Sequence, residues 1–165
     1  MRRQLWIFSF VALACVGCDH AAKQVAQQLL ADSAGVALLG GIVRLQLAVN
    51  PGAFLSLGAQ LPELVRQVVL IGFVPLMLAV IGWLLFRSGT ATRAQVVAFG
   101  LIAGGGLANW IDRVVDDGAV TDFVSLGLGQ LRTGIFNVAD LAIVAGLVLF
   151  LWLGHGSEPS APSAE

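Results

Sequence analysis

The sequence predicts a mainly α-helical membrane protein, a four-transmembrane-helix bundle with a small β-rich extracytoplasmic loop region. Hydrophobic residues make up 58% of the 165 residues and charged residues only 12%, whereas a soluble domain carries about 25% charged residues. Four apolar segments follow one another along the chain, and one connecting stretch alternates apolar and polar residues, as a half-buried strand does. These observations predict a single membrane-embedded domain over residues 1–165.

The predicted spans cover about residues 4–30, 66–86, 94–114 and 138–154. The second is uncharged from Gln67 to Phe86, which at about 1.5 Å per residue covers roughly 30 Å, the thickness of the hydrocarbon core. Pro75 in this span is expected to kink the helix or to free a carbonyl group. The four tryptophans lie toward the ends of apolar segments, as in the aromatic belt at a membrane interface.

The first span has an alternative interpretation as a cleaved signal peptide, because an apolar run with small residues and two cysteines follows Arg2 and Arg3. A lipoprotein cleavage box, however, requires a Leu-like residue three positions before the cysteine, and neither Cys15 nor Cys18 has one. Three further spans would also remain after cleavage. A retained first helix is therefore preferred.

Basic residues in short loops favour the cytoplasmic side of a membrane. Arg2 and Arg3 precede the first span, and Arg87 and Arg93 flank the short link between the second and third spans. This distribution predicts cytoplasmic termini and outer loops at 31–65 and 115–137. The Pro/Ser-rich tail, 155–165, is expected to be disordered.

The first outer loop contains the alternating stretch, Ile42 to Asn50. It predicts a half-buried strand whose apolar side must be covered by the membrane surface or by the bundle. A turn at Asn50-Pro51-Gly52 follows, and residues Ala53 to Leu57 are interpreted as a possible return strand.

Polar residues at the helix ends form two groups on helical spacing. Asp19 and Lys23 are four residues apart and share one face; an ion pair and a functional positioning pair are equally favoured. Asn109, Asp112 and Arg113 form one stripe at the end of the third span. Glycines 104–106 allow close helix approach there. Asp116 and Asp117 are expected to be solvated loop residues, and His20 to be interfacial and directed elsewhere.

Asp122 and Asp140 are the candidate catalytic pair, since both are predicted near the outer membrane boundary. Two carboxylates in one site share a proton, so one can activate water while the other protonates an amide. The alternative makes Asp140 a helix N-terminal residue and Asp122 a plain loop acid. No His/Cys spacing supports a metal site, and the net charge of −1 gives no reason to expect a nucleic-acid partner.

These motifs, in this order, resemble the bacterial lipoprotein signal peptidase (type II signal peptidase) family from about residue 4 to 153. The matching stretches are DHAAK with Asp19 and Lys23, NPGAF with Asn50 and Gly52, GGGLANWIDR with Asn109, Asp112 and Arg113, VTDF with Asp122, and FNVAD with Asn137 and Asp140. The chain departs from the family pattern at Ala22, Ala108 and Phe54 and in a slightly long link between Arg113 and Asp122, which marks it as a somewhat divergent member.

The resemblance implies an intramembrane aspartic endopeptidase that removes signal peptides from diacylglyceryl-modified prolipoproteins, cutting before the lipid-modified cysteine. Its catalytic residues are Asp122 and Asp140, and the other matched residues form the substrate-binding site or its framework. The partners it implies are the lipid-modified preprotein and membrane lipids, with no metal or organic cofactor. A multi-pass monomer in the cell inner membrane, with its site near the outer face, is expected. The alternatives are an inactive relative that binds lipoproteins or peptides and, less favoured, a small transporter component.

Overall fold

The computed structural model describes residues 2–87 and 89–155. The predicted tail, 155–165, therefore lies almost wholly outside the described residues. Within these described ranges, five α-helices and four strands follow in chain order: α1 (Arg2–Leu30), β1 (Val36–Leu38), β2 (Val43–Asn50), α2 (Glu63–Gln67), α3 (Val74–Arg87), α4 (Arg93–Val115), β3 (Val120–Leu128), β4 (Leu131–Arg132) and α5 (Val138–His155). A π-helical turn, Val68–Phe73, joins α2 to α3, so that residues 63–87 form one continuous helix.

Within the described residues, three helices are long and apolar enough to cross a membrane: Arg2–Leu30, Glu63–Arg87 and Arg93–Val115. The apolar helix Val138–Gly154 is shorter. The predicted class, a mainly helical membrane protein with a small sheet, is confirmed. The fourth membrane crossing stays a prediction.

Helix α4 is the central helix, because it packs closely against both α1 and α5. A side chain at Gly104 would overlap the backbone of Ala12 at 2.8 Å, and one at Gly105 would overlap the carbonyl oxygen of Ala139. The expected close approach at these glycines therefore occurs. Helix α4 begins with a capping box, in which Gln95 N donates to Thr92 Oγ1 (3.2 Å) and Thr92 N donates to Gln95 Oε1 (2.8 Å).

The strands form one antiparallel sheet in the order β1-β2-β3-β4 at one end of the bundle, here called the sheet end. Part of the sheet packs on the last turns of α1, where Ala26 and Leu30 contact Phe123 of β3 and where Leu45 and Leu47 of β2 are partly buried. The bundle thus covers apolar side chains of the predicted strand.

The predicted return strand at 53–57 is wrong. Residues Phe54–Ser56 form a 3₁₀ turn, with Leu55 and Ser56 at φ of 53° and 64°, a region that strands do not use. The backbone N–H of Ala53 bonds to Leu57 O (2.8 Å), which closes a compact loop. Both edges of β2 are already paired, with β1 and with β3, so no edge is left for a return strand.

A β-bulge interrupts the register of β2 with β3. Leu45 pairs with Val124, but Ala48 pairs with Asp122, so one extra residue of β2 fits between these pairs. A one-residue shift turns the following side chains to the opposite face. As a result Val49 is 77% exposed, whereas Asn50 is buried beside β3.

Candidate active site

Asp122 lies on β3 and is only 1% exposed. Its Oδ2 accepts a hydrogen bond from Asn50 Nδ2 (2.8 Å), and its Oδ1 accepts one from Asn137 Nδ2 (2.6 Å). The bulge in β2 makes the first contact possible, because it turns Asn50 toward the bundle. Both oxygens of this carboxyl group are therefore held in fixed directions.

Asp140 lies in the first turn of α5, where Asn137 is the residue before the helix. Asp140 N donates to Asn137 Oδ1 (2.9 Å), and Asn137 N donates to Asp140 Oδ2 (3.4 Å). This reciprocal pair is a capping box built from Asn and Asp. The helix-terminal role considered for Asp140 is thus present, and it also fixes the direction of the carboxyl group.

Two asparagines join the carboxyl groups of Asp122 and Asp140 into one network. Besides its bond to Asp122, Asn137 Nδ2 donates to Asn109 Oδ1 (3.0 Å). Asn109 Nδ2 in turn donates to Asp140 Oδ1 (2.9 Å). All four side chains are buried. Strand β3, the start of α5 and the last turns of α4 therefore converge on one site.

Lys23 supports this network from α1. Its Nζ lies 2.5 Å from Asp19 Oδ2, 2.5 Å from Asp112 Oδ2 and 3.1 Å from Asn109 Oδ1. An ammonium group has three hydrogens, so each can serve one of these acceptors. Asp19, fully buried, also accepts from the backbone N–H of Ala139 (2.8 Å). The ion pair is therefore present, and Lys23 also contacts Asn109 and Asp112; a functional role of this pair stays a prediction.

Arg113 connects the central helix to the turn after β2. Its Nη1 donates to Asn109 O (2.8 Å) and its Nη2 to Gly52 O (2.5 Å). The turn is closed by Asn50, whose Oδ1 accepts from Gly52 N (2.9 Å). A side chain at Gly52 would meet Leu57 O at 2.7 Å. Arg113 Nε is buried and has no hydrogen-bond partner among the described residues.

Nine polar residues described so far, together with Gly52, form what we call the polar network: Asp19, Lys23, Asn50, Gly52, Asn109, Asp112, Arg113, Asp122, Asn137 and Asp140. They include every site residue expected from the sequence, and the fold brings all of them together at the sheet end. Asp116 and Asp117 stay outside the network and are exposed, as expected for solvated loop residues.

Burial raises the pKa of Asp122 from its usual 3.8 to about 6. The amide of Asn50 opposes this effect, and the neighbouring Asp140 adds to it, since two negative charges in one buried site repel each other. Ionising both carboxyl groups is therefore costly.

A cavity of about 200 Å³ opens beside the network. Asp140, Asn109 and Arg113 line one side of it, and the other side is apolar, with Phe54 from the loop after β2 and Leu70 from the π-helical turn. The cavity thus places a carboxyl group and a guanidinium group against an open space. An acid, a base and hydrogen-bond donors next to a cleft can carry out hydrolysis of an amide.

Two residues near the network were missed or misplaced by sequence reasoning. His20 was expected to be directed elsewhere, but its Nε2 lies 3.4 Å from Asp112 Oδ1. Trp110 was expected only as one of the interfacial tryptophans, but its Nε1 also donates to Ile71 O (2.9 Å), and it lines the cavity. No spacing signal could have found His20, because its partner lies on another helix. Trp110 directly follows Asn109 in the sequence, which is the one available hint.

Comparison with known proteins agrees with the motifs. Residues 11–154 match the family model described as signal peptidase (SPase) II. A lipoprotein signal peptidase of Treponema pallidum is 35% identical, covering 92% of this chain and 84% of that protein, and one of Sulfurihydrogenibium sp. is 29% identical, covering 92% of both. A solved bacterial membrane enzyme, determined by the in meso method at 2.3 Å resolution, superposes with a TM-score of 0.76 at 20% identity over 96% of this chain and 94% of that chain. The structural likeness shows the fold, and the match over most of the sequence shows that this chain belongs to the signal peptidase II family.

Proposed function

We propose that the protein removes signal peptides from diacylglyceryl-modified prolipoproteins by an aspartic mechanism in which Asp122 and Asp140 activate water. The observation that carries this proposal is the pair of buried carboxyl groups, joined through Asn137 and Asn109, of which Asp140 lines an open cavity. The family membership supports the reaction class. The names of the relatives support the lipoprotein substrate.

The reaction needs one proton on the pair. The ionised carboxylate removes a proton from water, the water oxygen attacks the scissile carbonyl carbon, and the protonated partner donates its proton to the carbonyl oxygen. In the second step the pair transfers a proton to the amide nitrogen, the C–N bond breaks and a carboxyl group and an amine leave. Atoms balance without any cofactor. The pKa of Asp122, raised to about 6 by burial, supports a proton-sharing pair.

Arg113 is proposed to bind the substrate backbone. Two of its nitrogens are used inside the protein, while Nε remains without a partner among the described residues. The residue lines the cavity together with Asp140. A buried donor without a partner costs about 1–3 kcal/mol, a cost that a bound peptide carbonyl would remove.

The departures from the family pattern leave the polar network intact. Ala22 packs against the apolar cluster under the sheet, and Ala108 is fully buried. Phe54 lines the cavity beside Asp140. None of the three replaces a residue of the polar network, so the geometry favours an active enzyme over an inactive binding relative.

The proposed topology has four spans in one domain of the inner membrane, with cytoplasmic termini and the site at the outer face. Arg2, Arg87 and Arg93 support it, since α1, α3 and α4 place them at helix ends opposite the sheet end. Helix α5, although short, falls within the range of about 17–25 residues that can cross a bilayer. Membrane lipids surround this monomer. An impermeant maleimide should label a cysteine placed at exposed Thr90, in a variant without Cys15 and Cys18, only after the membrane is opened.

The proposal is tested by incubating the purified protein with a lipid-modified preprotein in nanodiscs and identifying the products by mass. The parent is expected to cut once, immediately before the modified cysteine. Asp140→Asn should lose activity by at least about 1,000-fold, since it removes a reacting group. Asp116→Asn, which changes an exposed loop aspartate, is the matched control and should retain the parent rate. Equal rates for the parent and Asp140→Asn would refute the assignment.

A further inference from the structure

A second, larger cavity lies next to the catalytic one. It measures about 400 Å³ and lies between α1, α3 and α4. Its lining is almost entirely apolar and includes Phe8, Ala79, Phe99 and Ala103. We call it the apolar cavity. It extends from the level of the active site toward the opposite end of the bundle, and no residue of the polar network lines it.

The two cavities share a boundary. Gly106 and Trp110 line both of them. A side chain at Gly106 would meet Leu78 Cδ1 at 2.7 Å, so α3 packs directly against the backbone of α4 at this boundary. The active-site cavity, where Asp140 lies, therefore adjoins an apolar space that extends along the membrane-spanning helices.

The ring of Trp110 is held in place at this boundary. Its Nε1 donates to Ile71 O, a carbonyl that in an α-helix would accept from the N–H of residue 75. That residue is Pro75, which has no N–H, and the backbone is π-helical just before it. The proline thus frees a carbonyl, as the sequence predicted, and the indole uses it. Trp110 forms a fixed wall rather than a mobile one.

The dimensions of the apolar cavity limit which part of the substrate it can bind. From Trp110 to Phe99, both in its lining, helix α4 rises by about 16 Å, and a helix of that length, about 10–12 Å across, would need more than about 1,000 Å³. A cavity of about 400 Å³ is too small for the helical segment of a signal peptide. A single extended hydrocarbon chain has a suitable width and length.

We propose that the apolar cavity binds one acyl chain of the diacylglyceryl group on the substrate cysteine. The inference rests on the proposed function. The bond that is cut directly precedes the lipid-modified cysteine, so the lipid lies within one residue of the bond that faces Asp140. Only the boundary at Trp110 and Gly106 separates the catalytic cavity from the apolar cavity, so an acyl chain on that cysteine can reach it.

The binding of this chain orients the substrate more than it increases affinity. Lipid tails are as apolar as the cavity lining, so moving an acyl chain from the bilayer into the protein gains little from the hydrophobic effect. Close packing in a shaped cavity instead fixes the position of the thioether and of the scissile bond beside it. Chain length should therefore affect kcat/KM through the apolar cavity.

The test compares two lipopeptides that differ only in their acyl chains, one dipalmitoyl and one dibutanoyl, with two matched variants. Ala103→Phe fills the apolar cavity, and Ala145→Phe adds the same bulk on the exposed side of α5, where it lines neither cavity. Ala103→Phe is expected to lower kcat/KM for the dipalmitoyl substrate about tenfold and to leave the dibutanoyl substrate within about twofold of the parent. Ala145→Phe should leave kcat/KM for both lipopeptides at the parent value.

Each outcome has a separate meaning. Failure of the parent to cut either lipopeptide would refute the proposed function, whereas normal dipalmitoyl cleavage by Ala103→Phe would overturn only the acyl-chain site. An equal loss on both lipopeptides would also overturn it, because it assigns the cavity to a part of the substrate that both share. A check that needs no variant uses the parent enzyme and a substrate that carries a photoreactive diazirine on its palmitoyl chain. Crosslinks are expected on α3 and α4 around Ala79 and Ala103; crosslinks confined to α5 or to the sheet would contradict the proposal.

Discussion

Helices α1, α4 and α5 pack tightly against one another, whereas the helix over residues 63–87 packs more loosely. The first three meet through glycines without space for a side chain, such as Gly104 and Gly105, and they carry most of the polar network. All residues of the helix 63–87 are described, and none of them is buried. It supplies apolar walls to both cavities. The polar network thus lies mostly on the tightly packed helices, and the more loosely packed helix 63–87 closes the cavities.

The largest expected effect on stability comes from the ion cluster in the packed unit. Lys23→Met leaves the buried carboxylates of Asp19 and Asp112 without their cation. Removing one member of a buried ion pair costs about 3–5 kcal/mol. Unfolding followed by circular dichroism in detergent should show this loss, together with loss of cleavage. Arg44→Met removes an exposed cation and is the control; equal stability of the two variants would refute the role of the cluster.

The next effect depends on pH. Burial raises the pKa of Asp122 to about 6 from 3.8, so the folded state binds this proton more tightly than the unfolded state. Stability from this group is fully present below about pH 4 and is lost as the pH rises through about 6, which amounts to about 3 kcal/mol. Asp122→Asn cannot titrate, so its stability relative to the parent should increase by about 2 kcal/mol between pH 4 and pH 7.

The stability difference between Asp122→Asn and the parent is measured by unfolding in denaturant at pH 4 and pH 7. Asp116→Asn, which changes an exposed aspartate, is the control. A stability difference between Asp122→Asn and the parent that stays constant from pH 4 to pH 7 would show that Asp122 does not titrate in this window.

A smaller effect on stability distinguishes the tightly packed helices from the loosely packed helix 63–87. Gly105→Ala places a methyl group against Ala139 O and Ile143 Cγ1, and overpacking of this kind costs about 1–3 kcal/mol. Displacing Ala139 also moves the start of α5, so cleavage should slow. Gly72→Ala is the matched change in the loosely packed helix, where an added methyl group meets nothing within 4 Å. Thermal unfolding should shift for Gly105→Ala alone; similar shifts for both would contradict the comparison.

Much of this architecture follows from the sequence because it depends on local patterns. Apolar runs predict the helices, and i, i+4 spacing predicts that Asp19 and Lys23 share a face. The freed carbonyl at Pro75 follows from the missing N–H of proline. The motif order also brings Asp122 and Asp140 into one hypothesis, although their spacing in the chain does not by itself place them together.

The remaining features depend on contacts between distant segments. The bulge that turns Asn50 toward Asp122 arises from pairing with β3, which no pattern within β2 reveals. The loop at 53–57 resembles a strand by its apolar residues, but β1 and β3 already pair with both edges of β2. Likewise, the contact of His20 with Asp112 depends on how α1 packs against α4.

The central claim is that Asp122 and Asp140 act as one unit, and a double-mutant cycle on kcat tests it most directly. Asp122→Asn, Asp140→Asn and the double variant are each measured on the lipid-modified preprotein under single-turnover conditions. Residues that act together show strongly non-additive losses. We expect each single variant to lose at least about 1,000-fold and the double variant to lose no more than about tenfold further. A single variant that keeps a tenth of the parent rate, or losses that multiply in the double variant, would contradict the claim.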